Sequence, residues 1–170
     1  MQAGQVGRSR LSAGTPALRV LERAGVAHAA HVYESGPGGY GEAAARARGV
    51  EPDRMLKTLL VDLDGELVCG VVPVSGSLDL KALAGALGGK HAAMADPARA
   101  ERSTGYVLGG ISPLGQRAAL RTVVDETAEL FDTVLVSGGR RGLSVELAPA
   151  DLVRLTEAVL AGVARWQLSG

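Results

Sequence analysis

The feature that most constrains the fold is the segment MLKTLLVDLDGELVCGVVPV, in which two apolar runs flank Asp64-Gly65. An Asp-Gly pair between apolar runs is a strong signal for a tight β-hairpin, because the turn requires residues that tolerate positive φ. The Val- and Leu-rich runs favour strands at about 56–63 and 66–73. The sequence therefore predicts an antiparallel hairpin near the middle of the chain.

Helices and further strands are predicted on both sides of the hairpin. Thr15-Pro16 offers an N-cap and a proline for the first helical turn, and this helix should end at Gly25. Apolar periodicity and turn residues predict the remaining elements. In chain order these are the strand AHAAHVYE, the helix EAAARARG, then, after the hairpin, the helix SLDLKALAGALG, the strand HAAMA, the helical turn DPARAERS, the strands RTVVDE, DTVLVSGG and LSVELA, and a long closing helix from Pro149 to Gln167.

The order of these elements predicts an α+β (mixed α/β) fold in a single domain. Regular alternation of strand and helix fails at the hairpin and in the strand-rich second half, which disfavours a doubly wound parallel sheet. A curved, mixed sheet flanked by helices fits better. Residues 1–13 show no periodicity and are predicted to form a disordered arm, so the domain should extend over residues 14–168.

Charge and cysteine content exclude several functions. The 18 Lys and Arg residues balance 18 Asp and Glu residues, so a long DNA duplex is not favoured and any contact with nucleic acid must be local. The single cysteine cannot form an internal disulfide, the chain starts without a charged-then-apolar leader, and no apolar run is long enough to span a membrane. We therefore expect a soluble, cytoplasmic protein with no membrane or DNA partner.

Motifs for metal or nucleophile catalysis are missing from the sequence. His28, His31 and His91 stand apart, and neither HExxH nor CxxC occurs. No GxSxG turn is present for a serine hydrolase. Cys69 lies in an apolar strand and is expected to be an inert core residue. The sequence thus predicts no metal and no cofactor.

Two strand ends carry polar residues that could bind a substrate. Lys57 and Thr58 begin the first strand of the hairpin, where a fixed ammonium could project into a cleft; alternatively, Lys57 is an edge lysine that extends into solvent. Ser137 precedes Gly138-Gly139 and offers a hydroxyl beside exposed N–H groups, while Arg140-Arg141 adds local positive charge. The alternative for this second segment is a solvated turn.

A third candidate is the loop GGISPLGQR, which places glycines and a proline around two aliphatic side chains. Glycine allows positive φ and a close approach of another molecule to the backbone, whereas proline fixes φ. The peptide N–H groups of Gly109, Gly110 and Ile111 are then the groups through which this loop could bind a ligand. The alternative is a plain connector between two elements.

Together these segments resemble the YbaK family of cysteinyl-tRNA(Pro) deacylases, which are related to the editing insertion of bacterial prolyl-tRNA synthetases. The resemblance rests on TPALRVLERAGV, KTLLVDLDGELVCGVVPVSGSLDLKALAGALGGK, MADPARAERSTGYVLGGISPLGQR and VLVSGGRRGLSVELAPADL. It covers nearly all of the chain from Thr15 to Arg165, and RSTGYVLGGISPLGQ is its most specific run. It implies that residues 14–168 form one aminoacyl-tRNA editing domain with a curved, mixed sheet of six or seven strands.

The resemblance also implies an activity and a site. The activity is trans-editing, the removal of cysteine from mischarged Cys-tRNA(Pro), with Cys-tRNA(Cys) as a further candidate substrate. The implied catalytic residues are Lys57 and Gly109, the latter being the first residue of the family's GxxxP element, which we call the GxxxP loop (residues 109–113). The implied substrate-binding residues are Tyr33, Tyr40, Thr58, Gly110, Ile111, Ser112, Pro113 and Ser137.

The reaction that the resemblance implies uses the substrate's own thiol. This thiol attacks its ester carbonyl, and the tRNA leaves as a cyclic thiolactone forms. Such a reaction agrees with the lack of a nucleophile set in the sequence. The implied partners are the aminoacylated 3′ end of tRNA and prolyl-tRNA synthetase, in a ternary complex.

One residue departs from the family pattern. Ser144 follows Arg-Gly-Leu where an acidic residue is expected, so a carboxylate contact to the substrate's amino group is missing there. Glu146 lies two residues further on the same strand face, but it is not assigned that role. Two alternatives stay open: a deacylase of the same superfamily for another aminoacyl group, and a non-catalytic module that binds tRNA ends or proteins.

Overall fold

The computed structural model describes residues 14–34 and 41–167, and the predicted arm at 1–13 lies outside this part of the chain. Its helices are α1 (Pro16–Ala24), α2 (Glu42–Ala47), α3 (Leu80–Ala86), α4 (Pro97–Thr104) and α5 (Pro149–Thr156), with a 3-10 turn at Glu126–Leu130. Its strands are β1 (His28–Val32), β2 (Leu56–Leu63), β3 (Glu66–Pro73), β4 (Ser77–Leu78), β5 (Ala92–Met94), β6 (Thr122–Asp125), β7 (Val134–Ser137), β8 (Leu143–Leu147), β9 (Val159–Ala161) and β10 (Ala164–Arg165). Within these ranges no helix is long and apolar enough to cross a membrane.

Local capping determines where two of the helices begin and end. In α1 the Thr15 hydroxyl accepts a hydrogen bond from the Leu18 N–H, and Gly25 ends the helix at φ 68°. The Asp96 side chain caps α4 in the same way, and Gly105 ends that helix at φ 81°. The left-handed residue at the end of α4 redirects the chain into the segment that leads to the GxxxP loop.

The predicted hairpin is confirmed at both of its strands. β2 and β3 pair antiparallel along their whole length, from Leu56 opposite Pro73 to Leu63 opposite Glu66. The turn between them has Asp64 at φ 51° and Gly65 at φ 90°. Positive φ at both central residues is the geometry of a type I′ turn, whose twist matches that of the strands.

The strands form two main sheets and a short ribbon. The five-stranded sheet has the order β5-β2-β3-β6-β9, the three-stranded sheet has the order β1-β8-β7, and β10 pairs with β4. β6 runs parallel to both β3 and β9, so the five-stranded sheet is mixed. The α+β fold class is confirmed. Instead of six or seven strands in one sheet, eight strands form two sheets that meet at a parallel bridge between Met55 and Leu135.

Aliphatic side chains fill the space between the two sheets. Leu143, Val145 and Leu147 of β8 point into this core, where they share a cluster with Val71 and Val124 of the five-stranded sheet. α1 packs into the same cluster, whereas α3 covers the opposite face of the five-stranded sheet. Alternate residues of the three-stranded sheet therefore point away from the core.

The prediction of one closing helix from Pro149 to Gln167 is wrong. α5 ends at Thr156, because Glu157 adopts a left-handed conformation with φ 52° and turns the chain out of the helical path. The apolar residues that follow then pair with the free edge of β6 as β9, and β10 pairs with β4. Sheet pairing has overridden helical periodicity in this segment.

Candidate active site

The outer face of the three-stranded sheet, which points away from the core, carries a row of polar side chains. Leu143 and Val145 point inward, so Ser144 between them points outward. Ser144 is paired across the strands with His31 on one side and with Ser137 on the other. Ser137 is 4% exposed and Ser144 is fully buried. Two serine side chains thus lie side by side on a covered face.

Lys57 lies at the edge of the same face. Met55, two residues earlier, bridges to Leu135 of β7 and packs with Ala45 of α2. Side chains two residues apart on an extended strand point the same way, so Lys57 projects toward α2. The parallel register that pairs positions 55 and 135 brings Lys57 level with Ser137. The structure therefore places these two predicted site residues on one side of the molecule.

Partial burial alters the chemistry of the Lys57 ammonium. Burial lowers the pKa of Lys57, and the nearby Glu42 carboxylate opposes this shift. Glu42 itself pairs with Arg46 at 2.6 Å, and none of the salt bridges within the described ranges includes Lys57. Lys57 thus offers a partly desolvated donor that can bind an anionic or carbonyl oxygen.

Tyr33, Arg48 and Ser144 form a cluster at one end of the polar row. The Nη1 atom of Arg48 donates to Ser144 Oγ at 3.1 Å, and the guanidinium carbon lies 4.2 Å from the centre of the Tyr33 ring. Burial raises the pKa of Tyr33, while the Ser144 hydroxyl and the Arg48 charge oppose that rise. The Tyr33 N–H also donates to the Gly142 carbonyl at 2.8 Å. Three separate elements therefore position this cluster.

The carboxylate two residues after Ser144 is already committed to other partners. Glu146 accepts hydrogen bonds from Arg54 at 2.7 Å and from the Thr133 hydroxyl at 2.6 Å, and its other oxygen lies 2.9 Å from His31 Nε2. The Thr133 hydroxyl holds the pKa of Glu146 below its usual value, and His31 and Arg54 add to that shift. Glu146 therefore does not replace an acid at position 144.

The side chains of the GxxxP loop pack into the hydrophobic core. Ile111 packs in a cluster with Cys69, and Pro113 is also buried. Ser112 is fully buried, and its hydroxyl accepts from the Leu114 N–H at 3.2 Å. The side chains of residues 111–113 therefore hold the loop in shape. What this loop can offer to a ligand is its backbone, which is exposed at Gly109.

Two glycines bring the GxxxP loop against the β7–β8 loop (residues 138–142). A Cβ on Gly109 would lie 2.8 Å from Arg141 Nε, and one on Gly110 would lie 2.8 Å from the Cα of Arg140. Gly109 also has φ 85°, a conformation that strongly favours glycine. A side chain at either position would separate the two loops. The glycines thus bring the GxxxP loop next to the loop that follows Ser137.

The N–H groups of this loop differ in availability. The Gly110 N–H donates to the Val107 carbonyl at 2.9 Å, so this predicted donor is committed within the protein. In the part of the chain that the structure describes, the N–H groups of Gly109, Ile111 and Ser112 have no hydrogen-bond acceptor. Because Ser112 is fully buried, Gly109 and Ile111, and not Gly110, are the candidates for contact with a substrate.

Thr58 points to the face of β2 opposite to the one that carries Lys57. Thr58 is paired with Val71, which belongs to the core between the sheets. Neighbouring residues of a strand point to opposite faces, so Thr58 points away from the face that carries Lys57. Its Oγ1 is buried without a hydrogen-bond partner among the residues described. Tyr40 lies outside the described residues.

Arginines without a carboxylate partner surround the GxxxP loop. All 18 Asp and Glu residues lie within the described ranges. Their salt bridges with arginine use Arg46, Arg54, Arg99, Arg121, Arg154 and Arg165. None of these bridges includes Arg117, Arg140 or Arg141. Arg117 packs against Gly105 and Arg141 against Gly109, so these two arginines lie at this end of the molecule together with the Glu101 carboxylate, which accepts from the Leu108 N–H.

The same end of the molecule exposes apolar side chains. Val107 is 57% exposed and Leu108 is 40% exposed, directly before Gly109. Phosphate groups bind arginine, and unstacked bases pack on apolar or planar side chains. This combination suits the single-stranded end of a nucleic acid better than a protein core or a metal ion.

The thiol near this site is buried, and the described residues hold no cluster of metal ligands. Burial raises the pKa of Cys69 to about 11, which confirms the prediction of an inert core thiol. Gln116 lies between this thiol and the loop, since its Nε2 is 3.4 Å from Cys69 Sγ and 3.0 Å from the Ser112 carbonyl oxygen. Within the described ranges no three His, Cys, Asp or Glu side chains cluster to hold a metal ion.

Sequence reasoning missed Arg48 and Gln116. Arg48 follows an alanine-rich helix, where a cation near the C-terminus is a general signal of helix stability and not of function. Gln116 follows the GxxxP loop by three residues, and its link to Cys69 requires the strand pairing to be known. Neither residue had a local pattern that predicts its contacts.

Comparisons with known proteins identify the family to which the chain belongs. Residues 39–155 match the family model of the aminoacyl-tRNA editing domain. The chain is 37% identical over 124 residues to EbsC of Enterococcus faecalis, named as a candidate Cys-tRNA(Pro)/Cys-tRNA(Cys) deacylase, with 72% of this chain and 75% of EbsC covered. It is 30% identical over 129 residues to the Escherichia coli protein named multifunctional Ser/Thr-tRNA deacylase ProXp-y, with 73% and 77% covered.

A solved structure shares the fold. The crystal structure of a candidate trans-editing enzyme for prolyl tRNA synthetase superposes with a TM-score of 0.77 at 23% identity, covering 93% of this chain and 97% of that one. Together, the family match, the relatives and this structure confirm the resemblance inferred from the sequence.

Proposed function

Because this chain belongs to the aminoacyl-tRNA editing family, we propose that it is a trans-editing deacylase that removes cysteine from mischarged Cys-tRNA(Pro), with Cys-tRNA(Cys) as a further substrate. The observation that carries the proposal is a glycine loop with free N–H groups that packs against the loop following Ser137. The partly buried ammonium of Lys57 lies level with Ser137 on the neighbouring strand. Such a site can bind and polarise an ester, and its nearby thiol, Cys69, is buried. In this proposal the attacking group comes from the substrate or from water.

In this proposal the thiol of the bound cysteine attacks. Its sulfur bonds to the ester carbonyl carbon, the bond from that carbon to the ribose oxygen breaks, and the thiol proton passes to the departing ribose oxygen. The products are tRNA with a free terminal ribose hydroxyl and a cyclic thiolactone, which water opens to cysteine. Holding the sulfur against the carbonyl can supply about 7 kcal/mol in favourable intramolecular cases.

The protein's residues bind and polarise the ester. The N–H groups of Gly109 and Ile111 donate to the oxyanion that develops on the carbonyl, each well-placed donor contributing about 3 kcal/mol. Lys57 binds a ribose or phosphate oxygen of the terminal adenosine. Tyr33 and Ser137 line the space around the aminoacyl group, with Tyr40 proposed as the second aromatic of that pocket.

The tRNA end is bound by the surface around the GxxxP loop. Arg117 and Arg140-Arg141 contact phosphates, and the exposed Val107 and Leu108 pack against an unstacked base. A contact limited to this end agrees with a net charge of zero, because a long stretch of RNA would need a wider basic surface. Prolyl-tRNA synthetase is the proposed partner that supplies the mischarged tRNA, as the name of the structural neighbour indicates for that protein.

A second candidate function is the deacylation of Ser-tRNA or Thr-tRNA. It is favoured by the 30% identity to the Escherichia coli Ser/Thr-tRNA deacylase, and it agrees with Ser144 in place of an acidic residue. In that reaction water would attack the ester, because a substrate hydroxyl is a much weaker nucleophile than a thiol.

The two functions are separated by the release of labelled amino acid from tRNA(Pro) that carries cysteine, serine, threonine or proline. We expect cysteine to be released at least about 100-fold faster than serine, because only cysteine brings an internal nucleophile. Faster release of serine or threonine would favour the second candidate. Tight binding of all four tRNAs without release would instead indicate a non-catalytic binding module.

A further inference from the structure

Arg48 presents an unpaired positive charge to the wall of the proposed pocket. It is the residue that ends α2, and it contacts Ser144 through Nη1 and the Tyr33 ring through its guanidinium face. Ser144 lies on β8 opposite Ser137, and Tyr33 directly follows β1. The guanidinium is therefore held in one place by two contacts, neither of which neutralises it.

No carboxylate of the described chain pairs with Arg48. Every Asp and Glu residue lies within the described ranges, and none of the salt bridges includes this arginine. Two acidic residues on the same elements are committed: Glu42, at the opposite end of α2, pairs with Arg46, and Glu146 of β8 pairs with Arg54. The wall of Tyr33, Arg48 and Ser144 thus carries a net positive charge.

A positive wall discriminates between the two polar ends of an aminoacyl group. The ammonium on the α carbon is repelled by a guanidinium that lacks a balancing carboxylate. An electron-rich side-chain group can accept hydrogen bonds from the guanidinium and from the hydroxyl of the half-buried Tyr33, whereas the fully buried Ser144 positions the guanidinium. The aminoacyl group is thereby oriented with its side chain toward this wall.

We propose that Arg48 determines specificity, and that the wall it forms with Tyr33 and Ser144 binds an electron-rich or anionic side-chain group of the aminoacyl moiety and not its ammonium. This inference rests on the proposed function, because it assumes that an aminoacyl ester occupies the site. A thiol that reacts as a thiolate is one such group, since a neighbouring arginine favours the charged form.

The inference can be tested by binding alone, without the cleavage reaction. The probes are stable amides of 3′-amino-3′-deoxyadenosine that carry an alanyl, an aspartyl or a 2,3-diaminopropionyl group. The last two have side chains of similar length and opposite charge. Dissociation constants are measured by calorimetry for the wild type, for Arg48→Met and for Arg23→Met, which removes a positive charge from α1 far from the site.

We expect the aspartyl probe to bind about tenfold more tightly than the diaminopropionyl probe, as one charge-assisted hydrogen bond would give. Arg48→Met should abolish this preference, whereas Arg23→Met should keep it. Ser144→Asp gives Arg48 a carboxylate partner and should reverse the preference, and Ser144→Ala should not. Thermal melts of each variant check that it is folded.

Equal binding of the two charged probes, or a preference for the diaminopropionyl probe, would overturn this inference alone, provided that the alanyl probe binds. An aspartyl preference that survives in Arg48→Met would also overturn it. If none of the three probes binds to the folded wild type, the proposed function fails, and this inference fails with it.

Discussion

The Nε atom of Arg141 donates a hydrogen bond to the carbonyl oxygen of Leu108 at 3.0 Å. This bond joins the β7–β8 loop to the segment that leads into Gly109. From the other side, the Glu101 carboxylate of α4 accepts a hydrogen bond from the Leu108 N–H at 2.9 Å. The start of the GxxxP loop is therefore fixed by two elements. Rigid donors stabilise an oxyanion because they do not have to reorganise during the reaction.

Replacing Arg141 should weaken both the loop and the contact with RNA. We expect Arg141→Met to lower kcat/KM for deacylation about tenfold, because it removes a charged hydrogen-bond donor. The slope of log(kcat/KM) against log(salt) should also become shallower by about 0.7, the value for one lost phosphate contact on a single strand. Lys81→Met, an exposed cation on α3, is the control and should change neither quantity. An unchanged salt slope in Arg141→Met would contradict the phosphate contact.

Adding one methyl group at Gly110 should separate the GxxxP loop from the β7–β8 loop. The new Cβ would lie 2.8–2.9 Å from backbone atoms of Arg140 and Arg141, which cannot move aside like a flexible side chain. We expect Gly110→Ala to lose about 1–3 kcal/mol of unfolding free energy. Activity should fall about 100-fold even in the folded fraction, because small misplacements are costly in catalysis.

The matched control for this substitution is Gly85→Ala in α3. No atom lies within 4 Å of its added Cβ, so this variant should be as stable as the wild type, or more stable by about 0.5–1 kcal/mol. Urea unfolding and deacylation rates measure both effects. Full activity in Gly110→Ala would argue against the importance of the loop contact.

Lys57→Met should lose activity without losing stability. Activity should fall between about 10- and 100-fold, because a charged hydrogen bond to the substrate is removed. Burial lowers the pKa of Lys57 in the folded state, with Glu42 opposing, so the folded protein is destabilised by its charged ammonium at neutral pH. This destabilisation is present in full below the folded-state pKa of Lys57, and it disappears above the unfolded-state pKa of 10.5.

The measurement for Lys57 is the unfolding free energy of both proteins from pH 7 upward. Lys57→Met should be at least as stable as the wild type at pH 7. As the pH approaches 10.5, the unfolding free energy of the wild type should rise relative to that of the variant. A variant that is less stable at pH 7 and equally active would remove Lys57 from the proposed site.

Cys69→Ala should keep its deacylase activity. The Cys69 thiol is buried, and burial raises its pKa to about 11, so it is neither accessible nor ionised at neutral pH. We expect a loss of about 1 kcal/mol in unfolding free energy from the smaller side chain. In the wild type, a thiol reagent at pH 8 should react only after denaturation. Loss of activity in a stably folded Cys69→Ala would point to an enzyme nucleophile.

Local sequence signals determined a large part of the fold. The hairpin was predicted with its bounds because the Asp-Gly turn and the apolar runs are short-range features. The closing helix was predicted wrongly beyond Thr156, because the residues of β9 form a strand only where β6 offers a parallel edge. The pairing of β9 with β6 joins residues more than 30 positions apart in the chain, and local periodicity carries no information about such contacts.

The site was predicted less completely than the fold. The resemblance proposed Lys57, Ser137 and Tyr33, and the structure places Ser137 and Tyr33 on the outer face of the three-stranded sheet and Lys57 at its edge. It could not locate Arg48, whose contacts reach β8 and the residue that follows β1. The position of Thr58 on the opposite face follows from strand alternation and was open to prediction from the sequence.

The central claim is that the substrate's own thiol cleaves the ester, and a substrate with a blocked thiol tests it most directly. The measurement compares the release of cysteine and of S-methylcysteine from tRNA(Pro) by the same enzyme preparation, with binding of each tRNA measured in parallel. The account predicts that both tRNAs bind, that cysteine is released with a thiolactone as the first product, and that S-methylcysteine stays attached. Release of S-methylcysteine at the rate of cysteine would contradict it, because the cleavage would then require no thiol.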